Sequence, residues 1–215
     1  QSAIIDPDIL PAYSSPPQLP ISNDAVINEL SDLFMKAARP VIIAGRGIRL
    51  AGAQELLKIL ATEFNVPVVT PYLGIDNLRH DLDIYIGKTG VKGDRAANLS
   101  MQNADLVLAV GTSLHISVVG YEYDQFARAA KKVVIDIDLT AHRKRTIKID
   151  HLIESDAKVA LNDLLKRLRD AKFKSVSLSW LQRCVNWKKK YPVCLPEYAN
   201  TVGAINVYTF MDRLS

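Results

Sequence analysis

Two uninterrupted apolar runs constrain this chain more than anything else in it. Val41-Ile-Ile-Ala44 and Leu106-Val-Leu-Ala-Val110 show no polar alternation. Strands without alternation are buried on both faces, which is the condition of a parallel sheet covered by helices. Further strand signals stand at residues 66–70, 84–86 and 132–138, with a short last strand at either 146–149 or 151–153. Helical stripes separate them. Ser22, Asn23 and Asp24 offer N-caps for a helix to about residue 38, in which Val26, Ile27, Leu30, Leu33, Phe34 and Ala37 share one face. Residues 51–64 and 156–169 repeat the helical period, and residues 94–103 do so more weakly. The alternation predicts an α/β fold, a doubly wound, Rossmann-like parallel sheet of about six strands with helices on both faces.

Composition sets the remaining bounds. The chain has 215 residues, 48% hydrophobic and 23% charged, the balance of an ordinary globular protein. No apolar run approaches the roughly 20 residues that span a bilayer, and the first residues lack a basic n-region and an h-region. The expectation is a cytoplasmic protein with no membrane and no nucleic-acid partner, since a net charge of +4 falls short of a nucleic-acid binder. Two cysteines, Cys184 and Cys194, without a CxxC argue against zinc. They are read as reduced or as a disulfide.

Ligands of doubly wound sheets sit outside the carboxyl ends of the strands. The residues expected there are Gly45, Arg46 and Gly47; Thr70, Pro71 and Tyr72; Gly87, Lys88, Thr89 and Gly90; Gly111, Thr112 and Ser113; and Asp136 with Asp138. Glycines let backbone approach a pyrophosphate, while Arg46 or Lys88 neutralises its charge. Asp136 and Asp138 can accept from a ribose or an adenine amino group, or cap the next turn. The usual dinucleotide fingerprint is not met, because Leu50 stands where its third glycine belongs and no acid closes the second strand. Neither GxSxG nor GxxxxGK[ST] is present, and His80, His115, His142 and His151 are scattered. The basic runs His142-Arg-Lys-Arg145 and Lys188-Lys-Lys190 read as solvated surface. No catalytic or metal-binding set emerges.

Taken in order, Arg39-Pro-Val-Ile-Ile-Ala-Gly-Arg-Gly47, Val66-Pro-Val-Val-Thr70, Gly87-Lys-Thr-Gly90, Ala104-Asp-Leu-Val-Leu-Ala-Val-Gly-Thr112, Val134-Ile-Asp-Ile-Asp138 and Asp156 resemble the central domain of thiamine-diphosphate-dependent enzymes of the acetolactate (acetohydroxyacid) synthase type. The resemblance implies a linker from a pyrimidine-binding domain over residues 1–21 and a central domain over 22–170. It also implies, over 171–215, a linker and the start of a diphosphate-binding domain. It further implies a parent enzyme, a homodimer or homotetramer that decarboxylates a 2-keto acid and transfers or releases the product. Thiamine diphosphate and Mg²⁺ would be held by the flanking domains, and this piece alone would be inactive. The central domain of such enzymes binds FAD, or ADP, or serves as scaffold. Candidate cofactor contacts are the glycines, Arg46, Lys88, Thr89, Thr112, Ser113, Asp136, Asp138 and Asp156. Two positions depart from the flavin-binding pattern: residues 112–117 lack its Arg and acidic pair, and Leu139 replaces a proline. The alternatives are a stand-alone nucleotide-binding module, as in a flavoprotein subunit or a sirtuin-like deacylase, and an interaction domain with a basic tail.

Overall fold

The computed structural model describes residue 12 and residues 23–144, 146–200 and 203–214. The linker expected over residues 1–21 lies outside the described residues except for the exposed Ala12, as do Ser22 among the capping candidates and Arg145 of the basic run.

Helix α1 (Asp24–Lys36) starts at Asn23, whose side chain accepts from the Ala25 amide at 2.9 Å, and buries Ile27, Leu30 and Phe34. Strand β1 (Pro40–Ala44) follows, fully buried. The glycines after it open a short helix at once, α2 (Arg46–Leu50), and α3 (Gln54–Glu63) comes after a break. The helix expected over 51–64 is α3, which starts three residues later, and α2 precedes it unforeseen, too short to show a period. Strand β2 (Val68–Thr70) begins beyond Pro67, whose carbonyl accepts from Ile42 of β1. Strand β3 (Tyr85–Lys88) takes in Gly87 and Lys88, expected just past the strand end. Helix α4 (Arg95–Gln102), strand β4 (Leu106–Val110) and the four-residue helix α5 (Ile116–Val119) come next. Strand β5 (Lys131–Asp136) stops two residues short of Asp138. The last strand is β6 (His151–Glu154), not the 146–149 alternative, and helix α6 (Ala157–Asp170) closes the sheet-forming part.

The six strands form one sheet in the order β3-β2-β1-β4-β5-β6, every pair parallel. Right-handed crossovers fix the layers. The chain moves outward from β1 to β3 and then returns through α4 to β4 on the other side of β1. The reversal places α3 and α4 on opposite faces. Helices α1, α3 and α6 pack together on one face, and α4 packs with helix α7 (Leu178–Lys190) on the other.

That last contact extends the packed body beyond residue 170, where the central domain was expected to end. Phe173 lies between Phe34 and Phe64, with ring centroids at 6.4 and 5.6 Å. Trp180, Leu181 and Cys184 of α7 are buried, and Trp180 Nε1 donates to Pro40 O at 3.0 Å. Lys188 Nζ donates to the carbonyls of His80 and Tyr85, both at 2.7 Å. Burial pushes the Lys188 ammonium below its ordinary range, against the opposing pull of Asp83, Asp81 and Asp94. Cys184 is a free thiol pushed by burial up to about 12, and Cys194 is free and half-buried. Helix α8 (Val207–Leu214) buries none of its described side chains.

Candidate nucleotide cleft

Strands β1 and β4 are neighbours whose connections leave in opposite directions, so the carboxyl ends of this pair form the switch point of the sheet. Here the two glycine segments touch backbone to backbone. The amide of Gly45 donates to Val110 O at 2.9 Å, that of Gly47 to Gly111 O at 2.9 Å, and that of Gly111 to Ile135 O at 2.8 Å. A Cβ on Gly47 would stand 2.6 Å from Gly111 Cα, and one on Gly45 would run into Gly111 O. Gly111 has a φ of 59°, in the left-handed region that favours glycine. Three amides at this point are thus committed inside the protein, and the exposed Arg46 stands at the rim. The groove beside the contact, lined by Gly47, Gly111, Asp136 and Asp156 among others, measures about 140 Å³. Ligand pockets usually hold about 300–1,000 Å³.

The 87–90 segment is held by the helix that follows it. Asp94 Oδ2 accepts from the Lys88 amide at 2.7 Å, and Asn98 Oδ1 accepts from the Gly90 amide at 2.9 Å and from Thr89 Oγ1 at 3.0 Å. Asn98 Nδ2 donates back to Gly90 O at 2.9 Å, and the Thr89 amide donates to Thr70 O at 2.8 Å. Asp94 and Asn98 were not singled out from the sequence. Their signal was the i, i+4 spacing at the start of a helix directly after a glycine loop, which puts both on the face looking back at that loop.

This frame presents Lys88 to the larger cleft. Its Nζ stands 5.8 Å from the centre of the Tyr72 ring. The cleft holds about 390 Å³ between the ends of β2 and β3 and helix α5, and its lining includes Tyr72, Lys88, Thr89, Lys92, Ser117 and Tyr121. Tyr72, Lys88 and Thr89 were expected at a strand end, whereas Lys92 and Tyr121 were missed because they lie in loops without a motif, and Ser117 because the four-residue α5 that carries it shows no period. The expected residues therefore divide. Lys88 and Thr89 line this cleft; Gly47, Gly111, Asp136 and Asp156 line the small groove.

The aspartates are engaged locally. Asp136 Oδ1 accepts from the Asp138 amide at 3.1 Å, and its Oδ2 lies 3.3 Å from Nε2 of the buried His142. Burial raises the Asp136 carboxyl, but the bonds from His142 and from the backbone outweigh it and hold the group below its ordinary range. Asp138 Oδ1 accepts from the amides of Thr140 and Ala141 at 2.9 and 3.3 Å, and Asp156 Oδ1 from those of Lys158 and Val159 at 2.8 and 3.2 Å. These are capping bonds. Thr112 is buried, and the carbonyl of the exposed Ser113 accepts from Lys144 Nζ at 2.9 Å. No group of three or more His, Cys, Asp or Glu arranged to hold a metal ion is found among the described residues.

Comparison with known proteins adds what geometry alone does not give. The family described as thiamine pyrophosphate enzyme, central domain, matches residues 27–164. A probable acetolactate synthase large subunit from Methanocaldococcus jannaschii is 34% identical over 76% of this chain and 27% of its own length. The acetolactate synthase large subunit of Cyanidium caldarium is 29% identical over 79% of this chain and 29% of its own. That of Buchnera aphidicola is 32% identical over 85% and 32%. The chain thus spans under a third of the length of these relatives. With its parallel sheet and the ordered strand-end motifs, the chain belongs to the thiamine pyrophosphate enzyme central-domain family.

Proposed function

We propose that this chain is the scaffold domain of a thiamine-diphosphate enzyme similar to acetolactate synthase, and that it holds an adenine nucleotide, as ADP or within FAD, in the cleft of Tyr72 and Lys88. The observation that carries the nucleotide reading is the juxtaposition of two lysines and two tyrosines around 390 Å³. Lys88 and Lys92 suit phosphate oxygens, and the faces of Tyr72 and Tyr121 suit a planar base. The committed amides of Gly45 and Gly47 favour the outer cleft over the glycine hub as the place for phosphate. Asp94 and Asn98 orient the loop that carries Lys88. In the parent, a homodimer or homotetramer of the cytoplasm, thiamine diphosphate with Mg²⁺ in the flanking domains supplies the electron sink for loss of CO₂ from a 2-keto acid. The matched family favours this over a stand-alone nucleotide module.

Calorimetric titration of the chain with FAD, ADP and coenzyme A tests the nucleotide part. Saturable heat with an adenine nucleotide, weakened at least about tenfold (~1.4 kcal/mol) by Lys88→Gln or Tyr72→Ala, is expected. Absence of heat with all three leaves scaffolding alone. For the parent, thiamine-diphosphate-dependent CO₂ release from a 2-keto acid by the full-length protein is the deciding assay.

A further inference from the structure

Strand β3 is irregular where it passes α7. Val68 of β2 lies opposite Tyr85, but the next residue, Val69, lies opposite Gly87, and Thr70 lies opposite Lys88. Ile86 is therefore an extra residue, a bulge in β3. A bulge breaks the ladder locally and re-aims the side chains beyond it, because a shift of one residue exchanges the two faces of a strand. Just beyond this one stands Lys88, which lines the nucleotide cleft with Thr89.

The bulge is tied down from outside the sheet. Lys188 Nζ of α7 donates to Tyr85 O, the last carbonyl before the extra residue, and to His80 O, both at 2.7 Å. It also lies 5.6 Å from the centre of the Tyr85 ring, whose hydroxyl is 3.1 Å from Thr70 Oγ1. Thr70 O in turn accepts from the Thr89 amide at 2.8 Å. A second path runs through Asp94. Its Oδ2 accepts from the Lys88 amide at 2.7 Å and leaves no room for a Cβ on Gly87. Burial pushes the Lys188 ammonium down, and the charges of Asp83, Asp81 and Asp94 oppose it. Lys189 and Lys190, the next two residues of α7, are exposed. We propose that Lys188 is a positioning residue for the nucleotide cleft, holding the β3 bulge in the register that aims Lys88 at the ligand's phosphates, a role that rests on the nucleotide reading of that cleft.

Lys188→Met keeps an apolar stem and removes the ammonium. In the whole 215-residue chain, hydrogen exchange at the Lys88 and Thr89 amides should quicken at least about tenfold more than at Leu108 in β4. ADP or FAD, titrated calorimetrically, should bind at least about fivefold more weakly. Lys189→Met makes the same charge change at an exposed neighbour and should do neither. Leu181→Ala removes a buried contact of α7, so it should lower the melting temperature while leaving nucleotide affinity within about twofold. Were Lys188 merely structural, Lys188→Met would match Leu181→Ala. Unchanged exchange at Lys88 and Thr89, equal nucleotide affinity in Lys188→Met, or the same losses in either control would each overturn the proposal. Absence of heat with both nucleotides in the parent protein defeats the nucleotide reading instead, and the exchange comparison then decides the tie by itself.

Discussion

Gly47 and Gly111 meet with no side chain between them, and a methyl group at either would collide with backbone that belongs to a central strand or its exit. Backbone there cannot yield without moving β1 against β4. Gly47→Ala is therefore expected to cost about 1–3 kcal/mol, read as a lower urea midpoint with an unchanged slope. Asp136 acts through protonation. Its folded-state carboxyl lies below the ordinary value, so its contribution is fully present above about pH 4 and is lost as pH falls through the folded value. Asp136→Asn removes that dependence, and stability measured against pH should fall less steeply below about pH 4 in the variant than in the parent protein. An equally steep acid limb would show that other carboxylates govern it.

Among elements, α7 is the one whose role was least apparent beforehand. Its basic face suggested a solvated linker, yet its opposite face carries Trp180, Leu181 and Cys184 into the core. Removing residues 193–215 should leave the melting temperature nearly unchanged. Removing residues 171–215 strips away the half-buried Phe173 and the buried Val176, Trp180 and Leu181, and should cost at least about 3 kcal/mol. Calorimetric melting of the two shortened chains decides the matter. The legible elements were those with a long enough period or an unbroken apolar run: α1, α6, β1 and β4 stand where Leu30, Leu164, Ile42 and Leu108 indicated. Helices α2 and α5 have five and four residues, fewer than two turns, so no stripe could develop. Residues 146–149 and 151–153 were equally strand-like. What separates them is pairing, because Leu152 and Ile153 lie in register with Val134 and Ile135. The cleft was half legible. Lys88 and Thr89 follow from the rule that ligands meet strand ends, whereas Tyr121 and Lys92 reach the same space from loops whose path only the folded chain defines.

At the scale of the whole molecule, strand order governs how the fold can be built. β1 pairs with β2 on one side and with β4 on the other, Val41 opposite Val107. The chain must therefore close a loop of more than sixty residues before its central strand has both neighbours, and such non-local closure is slow. Splitting the chain after residue 103 should yield an N-terminal part that aggregates alone and regains solubility when refolded together with residues 104–215. Light scattering of the separate and mixed halves reports this directly, and a soluble N-terminal half would contradict it.

During synthesis the same order has a cost in time. Until β4 has left the ribosome, the nascent chain carries β1 with one flank open, five residues from Pro40 to Ala44 without a charge or a polar side chain. An open strand edge of that composition is a template for pairing with another chain. The exposure ends only when residues 106–110 arrive. The centre of the sheet, the part most deeply protected in the finished protein, is thus the part most vulnerable while the protein is being made, and slow translation over residues 45–105 should prolong its dependence on chaperones.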